Sequence, residues 1–391
     1  MSDHAGLLAL AAGARPLSNL SSPREVIRQF TPNWFTASMG TGILSVGLAL
    51  VPAPFPALKA AGEALWILNI GLFTTFSALY LARWLMFPQE AARIFGHSVV
   101  SMFFGAIPMA LATIINGTLI FGIARFGAGP AVAVAQALWW ADAAMSLACG
   151  VAIPFMMFTR QRHEIEQMTA VWLLPVVAAE VAAASGGLLA PHLTSGAAYV
   201  VLLTSYALWA YSVPIALSML VILVLRMALH KLPHSGMAAS SWLALGPIGT
   251  GALGLLVLGA DAPAIFAAQG LPALGPVAQG MGAVGGLLLW GYGVWWLLLG
   301  VLVTLRHLRE GFPFNLGWWA YTFPIGVYSV ATLRLAGVLH APFFAWVGAC
   351  LVAGLAVMWL VVGARTVAGA WSGKLFVAPC LATEAARERA R

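Results

Sequence analysis

The chain has 391 residues, of which 61% are hydrophobic and only 8% charged, against about 25% charged in a water-soluble domain; a fold stable in water is excluded and a lipid bilayer is the expected surround. The net charge of +7 would suit a nucleic-acid binder, but the distribution of the basic residues accounts for it in another way. Three scattered cysteines, Cys149, Cys350 and Cys380, give neither a disulfide framework nor zinc spacing.

The predicted elements begin after a polar tail, residues 1–28. Its run Gly6–Ala12 is too short to cross a bilayer and has no basic region ahead of it, so it does not read as a cleaved signal. Ten apolar stretches follow, at about 33–51, 63–86, 97–123, 131–158, 167–189, 197–228, 240–260, 280–305, 316–338 and 343–369. A helix needs roughly 20 apolar residues to cross the hydrocarbon. Barrel strands would alternate apolar and polar residues over about ten positions. These runs are continuous, and only helices satisfy their own backbone in lipid over such lengths. The longest connection on the side away from the termini, about 261–280, is rich in Pro, Ala and Gly. The organisation is one ten-helix transport domain, residues 29–371, between the first tail and a second, 372–391. Both tails are expected to be mobile. No glycine-rich phosphate loop followed by lysine is present, and no cofactor is expected.

The stretches repeat in pairs. Pro108, Pro175, Pro247 and Pro324 lie in mid-span of the third, fifth, seventh and ninth, and Met39-Gly40-Thr41-Gly42 takes the matching place in the first, at steps of 69, 67, 72 and 77 residues. An aromatic residue lies five positions earlier in four copies (Trp34, Phe103, Trp242, Trp319) and three earlier in the other, Trp172. Each copy is followed by an apolar stretch ending in arginine: Arg83, Arg160, Arg226, Arg306 and Arg365. The chain therefore reads as five tandem helical hairpins. The odd helices are rich in small residues, which let backbones approach closely. A mid-span proline is expected to kink its helix and free a carbonyl one turn back, which is tolerated at membrane depth only inside protein or beside a water-lined cavity. The even helices are bulky, as in Leu220-Val221-Ile222-Leu223-Val224-Leu225. Odd helices are expected inside, ringing a pore, and even ones against lipid.

Sorting Lys and Arg by connection puts 16 on the side of the termini and three, Lys59, Arg125 and Arg334, on the other. The positive-inside rule then sets both termini in the cytoplasm and explains the basic charge without nucleic acid. The expected location is a bacterial cell (inner) membrane.

Phe30-Thr31-Pro32-Asn33-Trp34-Phe35 followed by Met39-Gly40-Thr41-Gly42-Ile43 resembles the first span of the tellurite-resistance/dicarboxylate transporter family. Trp318-Trp319-Ala320-Tyr321-Thr322-Phe323-Pro324 resembles its ninth span, and Trp172-Leu173-Leu174-Pro175 with Ser185-Gly186-Gly187 its fifth. The resemblance covers about residues 30–370. The family includes bacterial tellurite-resistance proteins, fungal malic acid permeases, fungal sulfite efflux pumps and plant slow anion channels; the Met-Gly-Thr-Gly element draws the chain toward the permeases and pumps. The resemblance implies ten helices as five hairpins around a quasi-fivefold pore, a homotrimer, and a pore plugged by the residue matching Phe323.

Aligning the five repeats puts Ser38, Ile107, Leu174, Gly246 and Phe323 in one layer, in which Phe323 is the only aromatic residue. If that layer faces the axis, one ring spans a narrow pore as a hydrophobic gate; the alternative is packing between helices. The expected pore lining is Ser38, Met39, Gly40, Thr41, Ile107, Pro108, Leu174, Pro175, Gly246, Pro247, Thr250 and Pro324 around the Phe323 gate. Arg334 lies eleven residues beyond Phe323, so it returns to within about 20° of the same face roughly 16 Å along the helix. There it would attract anions to the outer mouth, or snorkel to the interface. Glu180 is ionisable at mid-span, where such residues are usually functional. Neutral, it would tolerate an anion and, ionised, repel one, which suits proton coupling or pH gating; the alternative is a structural hydrogen bond. Asp142, beside Trp139-Trp140, is expected to pair with a neighbour or with backbone groups. The eight histidines lie in loops or at span ends and form no metal site, and no catalytic arrangement is present.

The reading is an all-α membrane protein that carries small anions, not an enzyme. By resemblance the substrates are C4-dicarboxylates such as malate, or sulfite. Its partners are the anionic substrate and the bilayer, with no nucleic acid. Two alternatives keep the fold: a non-conducting sensor or scaffold, and an intramembrane enzyme acting on lipid. Channel or carrier action, proton coupling and transport direction stay open.

Overall fold

The computed structural model describes residues 15–52, 55–311 and 313–381, and among these every regular element is helical. His4, Arg387, Arg389 and Arg391 lie outside the described residues. The principal helices are α1 (Phe35–Leu50), α2 (Pro56–Met86), α3 (Ala106–Gly117, continued to Phe126 through a π turn), α4 (Ala128–Thr159), α5 (Leu174–Leu189), α6 (Ser195–His230), α7 (Leu245–Ala268), α8 (Leu274–Glu310), α9 (Phe323–Val338) and α10 (Pro342–Ser372). Among the described residues, eight helical stretches are long and apolar enough to cross a membrane. α1 and α9, with 16 residues each, are shorter.

The prolines do not kink helices in mid-span. Each odd segment starts as a 3₁₀-helix, at Pro32–Trp34, Val100–Gly105, Ala170–Leu173, Ser235–Ala244 and Leu316–Tyr321, and only then becomes α-helical. Pro108, Pro175, Pro247 and Pro324 stand within the first three residues of the α part. A proline there gives up no bond of its own α-helix, and the turn before it closes with the tighter i→i+3 pattern. The connection expected at about 261–280 is also shorter, because α7 runs to Ala268 and α8 starts at Leu274. Its Pro and Gly are contact residues of two helices: a side chain on Gly275 would strike the backbone of Pro263.

Burial separates the two kinds of helix. In the most apolar part of the spans containing α3, α5 and α7, 83%, 94% and 89% of residues are buried, against 22–33% in α2, α4, α6, α8 and α10. α1 packs on α3, α3 on α5, α5 on α7, α7 on α9, and α9 returns to α1. Close approach is part of this: a Cβ on Gly249 of α7 would lie 2.9 Å from the backbone nitrogen of Tyr328 on α9.

Each outer helix also ties itself to the next inner segment by a tryptophan. The indole N–H of Trp66 donates to the Ile114 carbonyl (3.3 Å), Trp139 to Ala182 (2.8 Å) and Trp209 to Gly251 (2.9 Å). Trp290 donates to the Thr332 hydroxyl (2.9 Å), and Trp359 of α10 closes the series on the Thr41 hydroxyl of α1 (2.9 Å). Interhelical hydrogen bonds of this kind contribute about 0.6 kcal/mol each in a bilayer.

The tails meet on one face, called the near face below. Leu17 N–H donates to the Trp371 carbonyl at 2.7 Å, and Asn19 Nδ2 to Ser372 at 2.7 Å. Expected to be mobile, residues 372–381 instead fold back on the bundle, because Phe376, Ala378 and Cys380 have apolar surface to cover.

Candidate anion pathway

Two cavities lie at opposite ends of the inner helices. The near cavity, about 340 Å³, takes wall residues from all five inner segments. They include Asn33, Thr36 and Met39; Val100 and Phe103; Val171 and Leu174; Ser240 and Leu243; and Asn315, Trp319, Phe323 and Pro324. The far cavity, about 510 Å³, is lined by Leu50 of α1, Leu188 of α5, Leu256, Val257 and Asp261 of α7, Leu333 and Arg334 of α9, and His192. α9 thus runs from one cavity to the other, with Phe323 at its start and Arg334 eleven residues on.

Of the expected lining residues, the structure brings Met39, Leu174, Phe323 and Pro324 together on the near cavity. Phe323 is 5% exposed. Gly246 is buried, yet a Cβ on it would meet nothing within 4 Å, so open space lies beside it. Ile107 is half-buried.

Others point elsewhere. The Ser38 hydroxyl donates to Asn69 Oδ1 on α2 at 2.5 Å, and Asn69 Nδ2 donates to the Thr113 hydroxyl at 2.9 Å. Ser38 is therefore a link between helices. Thr41 donates to the Ala37 carbonyl at 2.8 Å and faces Trp359. Thr250 donates to the Gly246 carbonyl one turn back at 2.9 Å. Gly40 is a contact point: a Cβ there would lie 2.7 Å from the Trp319 ring. Pro108, Pro175 and Pro247 are buried at the helix starts and line neither cavity.

Glu180 also lies away from both cavities. It is fully buried and accepts a hydrogen bond from Ser212 of α6 at 3.2 Å, so it faces an outer helix. Asp142 is fully buried on α4, but neither of its carboxylate oxygens has a hydrogen-bond partner among the described residues, contrary to the expected pairing.

On the near face, His97 caps the second 3₁₀ segment. Its Nδ1 accepts the backbone N–H of Val99 (3.1 Å) and of Val100 (3.3 Å), which requires a neutral imidazole. Burial pushes the His97 pKa below the ordinary 6.5. At the far cavity, Arg334 forms no ion pair among the described residues, and Asp261 and His192 share its cavity.

Sequence reasoning passed over Asp261, His192, Asn315, Ser240 and Lys374. An acidic residue just past an apolar run, as at Asp261, was a readable signal. Ser240 and Asn315 carry no such signal, since their places depend on how the 3₁₀ segments meet.

Residues 29–367 match the family described as voltage-dependent anion channel. The chain belongs to that family. It is 38% identical to the sulfite efflux pump SSU1 of Trichophyton rubrum over 90% of this chain and 93% of the fungal protein. It is 24% identical to the malic acid transport protein of Schizosaccharomyces pombe, over 85% of this chain and 77% of that protein. An uncharacterized transporter of Methanocaldococcus jannaschii, MJ0576, is 27% identical over 92% and 99% of the two chains. The resemblance first read from the first-, fifth- and ninth-span motifs is thereby borne out. The family and these relatives are transporters or channels rather than enzymes, and this chain is an anion transporter or channel in a membrane.

Proposed function

We propose that the chain moves sulfite across a cell membrane through a pore between its five inner segments, gated by Phe323. The observation that carries the substrate is the 38% identity to a sulfite efflux pump along nearly the whole of both chains. The route is supported by the near cavity, which draws on all five inner segments and has Phe323 in its wall. The first turns of the five 3₁₀ segments, at Asn33, Val100, Val171, Gly236 and Leu316, stand on that cavity's wall and bring N-terminal backbone N–H groups toward it. The return of α9 to α1 and the five tryptophan ties support a ten-helix, quasi-fivefold ring. The basic near face is taken as cytoplasmic, with both termini inside; a bacterial inner membrane and a homotrimer belong to the same proposal. C4-dicarboxylates such as malate are the second reading, favoured by the malic acid transport relative.

The test is flux from proteoliposomes loaded in turn with sulfite, malate, chloride and nitrate. Sulfite should move fastest. Malate moving fastest would install the second reading, and no anion flux from well-folded protein would leave a non-conducting sensor.

A further inference from the structure

The near cavity takes one wall from outside the helix bundle. Lys374, Leu375, Val377 and Pro379 line it, and among its described lining residues Lys374 alone is charged. The segment reverses directly after α10 at Gly373, whose φ of +82° is a conformation that suits glycine. Three contacts hold it down. Phe376 stacks on Trp34 with ring centroids 4.9 Å apart. Ala378 N–H donates to Gln29 Oε1 at 2.8 Å. Cys380, itself buried, lies 3.6 Å from Nη2 of Arg83, whose guanidinium is fully buried and donates to the Phe30 carbonyl at 2.5 Å. Gln29, Phe30 and Trp34 lead straight into α1, so the anchors fix the segment relative to the cavity itself.

Asn33 offers only an uncharged amide, its Oδ1 already accepting from Thr31, and three other polar side chains on this wall each spend a donor within the protein. The Thr36 hydroxyl is committed to the Asn33 carbonyl (2.5 Å), Ser240 to Met237 (2.7 Å), and Asn315 Nδ2 to Gly236 (2.9 Å). Lys374 makes no ion pair among the described residues, and its ammonium has three donors to offer. A single cation at the mouth of a cavity with apolar walls concentrates anions there, because such walls focus its field.

Building on the proposed pore, we infer that Lys374 is the near-face capture residue for small oxyanions, and that the folded-back C-terminal segment is part of the substrate path. The experiment is sulfite flux in proteoliposomes of the full chain, with the near face toward added sulfite at varied concentration. Lys374→Gln should raise KM about threefold to tenfold with the maximal rate within about twofold. Lys374→Glu should raise KM further, and Lys374→Arg should restore it. Salt at about 0.5 M should shrink these differences, since the Debye length falls well below 10 Å. Gln29→Ala keeps the ammonium but cuts one anchor, and should move KM the same way by less. Wild-type KM in both Lys374→Gln and Lys374→Glu overturns the inference. Phe323→Ala in the same vesicles tests the pore separately. A Lys374 effect without a rise in Phe323→Ala keeps the capture residue and sinks the gate; the reverse pattern sinks the capture residue alone.

Discussion

The two cavities differ in where their charge resides. The far cavity carries Arg334 and Asp261 on inner helices, with His192 at the end of the fifth segment. The near cavity has uncharged helical walls and receives its cation on a segment that returns from beyond α10. A charge on a packed helix is held at one depth, whereas a charge on a folded-back segment is held only as well as its anchors. The far cavity therefore has a standing field, and the near one a field that depends on a few contacts. Between them α9 carries Phe323, which lines the near cavity together with Leu174.

The largest effect should come from joining the two cavities. Phe323→Ala removes the ring and leaves the α9 start, set by Pro324, in place. Sulfite flux should rise about tenfold, the equivalent of about 1.4 kcal/mol off the barrier, with yield and elution volume near wild type. Leu174→Ala and Ile107→Ala should raise it less. Equal behaviour in all three would make Phe323 a packing residue and leave the two cavities unconnected at that point.

A smaller effect should sharpen the contrast in charge. Arg334→Gln should slow flux from the far face about threefold to fivefold and leave flux from the near face less affected. Asp261→Asn should change far-face flux in the opposite direction, by removing a competing negative charge. Equal losses from both faces in Arg334→Gln would mean that Arg334 acts on the fold rather than on the far cavity.

Much of this architecture is legible in the residues, and the illegible part has a common cause. Proline spacing and small residues marked the inner helices because those traits follow directly from close packing. The tryptophans at 66, 139, 209, 290 and 359 are a second repeat, at steps of 73, 70, 81 and 69 residues, that does not stand out among the 16 in the chain. Its sense lies in an acceptor on a different helix. Ser38 precedes the repeat centre of the first span and Thr41 lies within it, but their facing depends on the 3₁₀ start that precedes α1. Lys374 looked like one of many basic residues beyond the last span, since nothing local says that residues 373–381 fold back.

A near-face effect of pH should follow from His97. Its neutral Nδ1 holds two N–H groups at the start of the segment that supplies Val99, Val100 and Phe103 to the near cavity. Its pKa is lowered by burial, so the unfolded chain takes up the proton first as pH falls. The stabilisation is complete above the ordinary 6.5 and is lost as pH falls from there through the lower folded value. Between pH 7.5 and pH 5.5 the wild type should lose more of its melting temperature than His97→Asn. An identical pH dependence in the two proteins would remove the cap from the account of the near face.

The smallest effect should come from Glu180. A carboxyl at mid-span invites a role in proton movement, but this one faces α6, where Ser212 donates to it at 3.2 Å, and lines neither cavity. An anion in either cavity is separated from it by the body of α5. Glu180→Gln keeps an acceptor for Ser212 and removes the titratable group. Sulfite flux and its pH profile should therefore stay within about twofold of wild type, while Glu180→Leu should lower stability by about 1 kcal/mol through the lost hydrogen bond. A flattened pH profile in Glu180→Gln, in protein that melts like wild type, would break the comparison. The charge that matters would then sit between an inner and an outer helix, and the two cavities would no longer hold all the groups that an anion senses on its way.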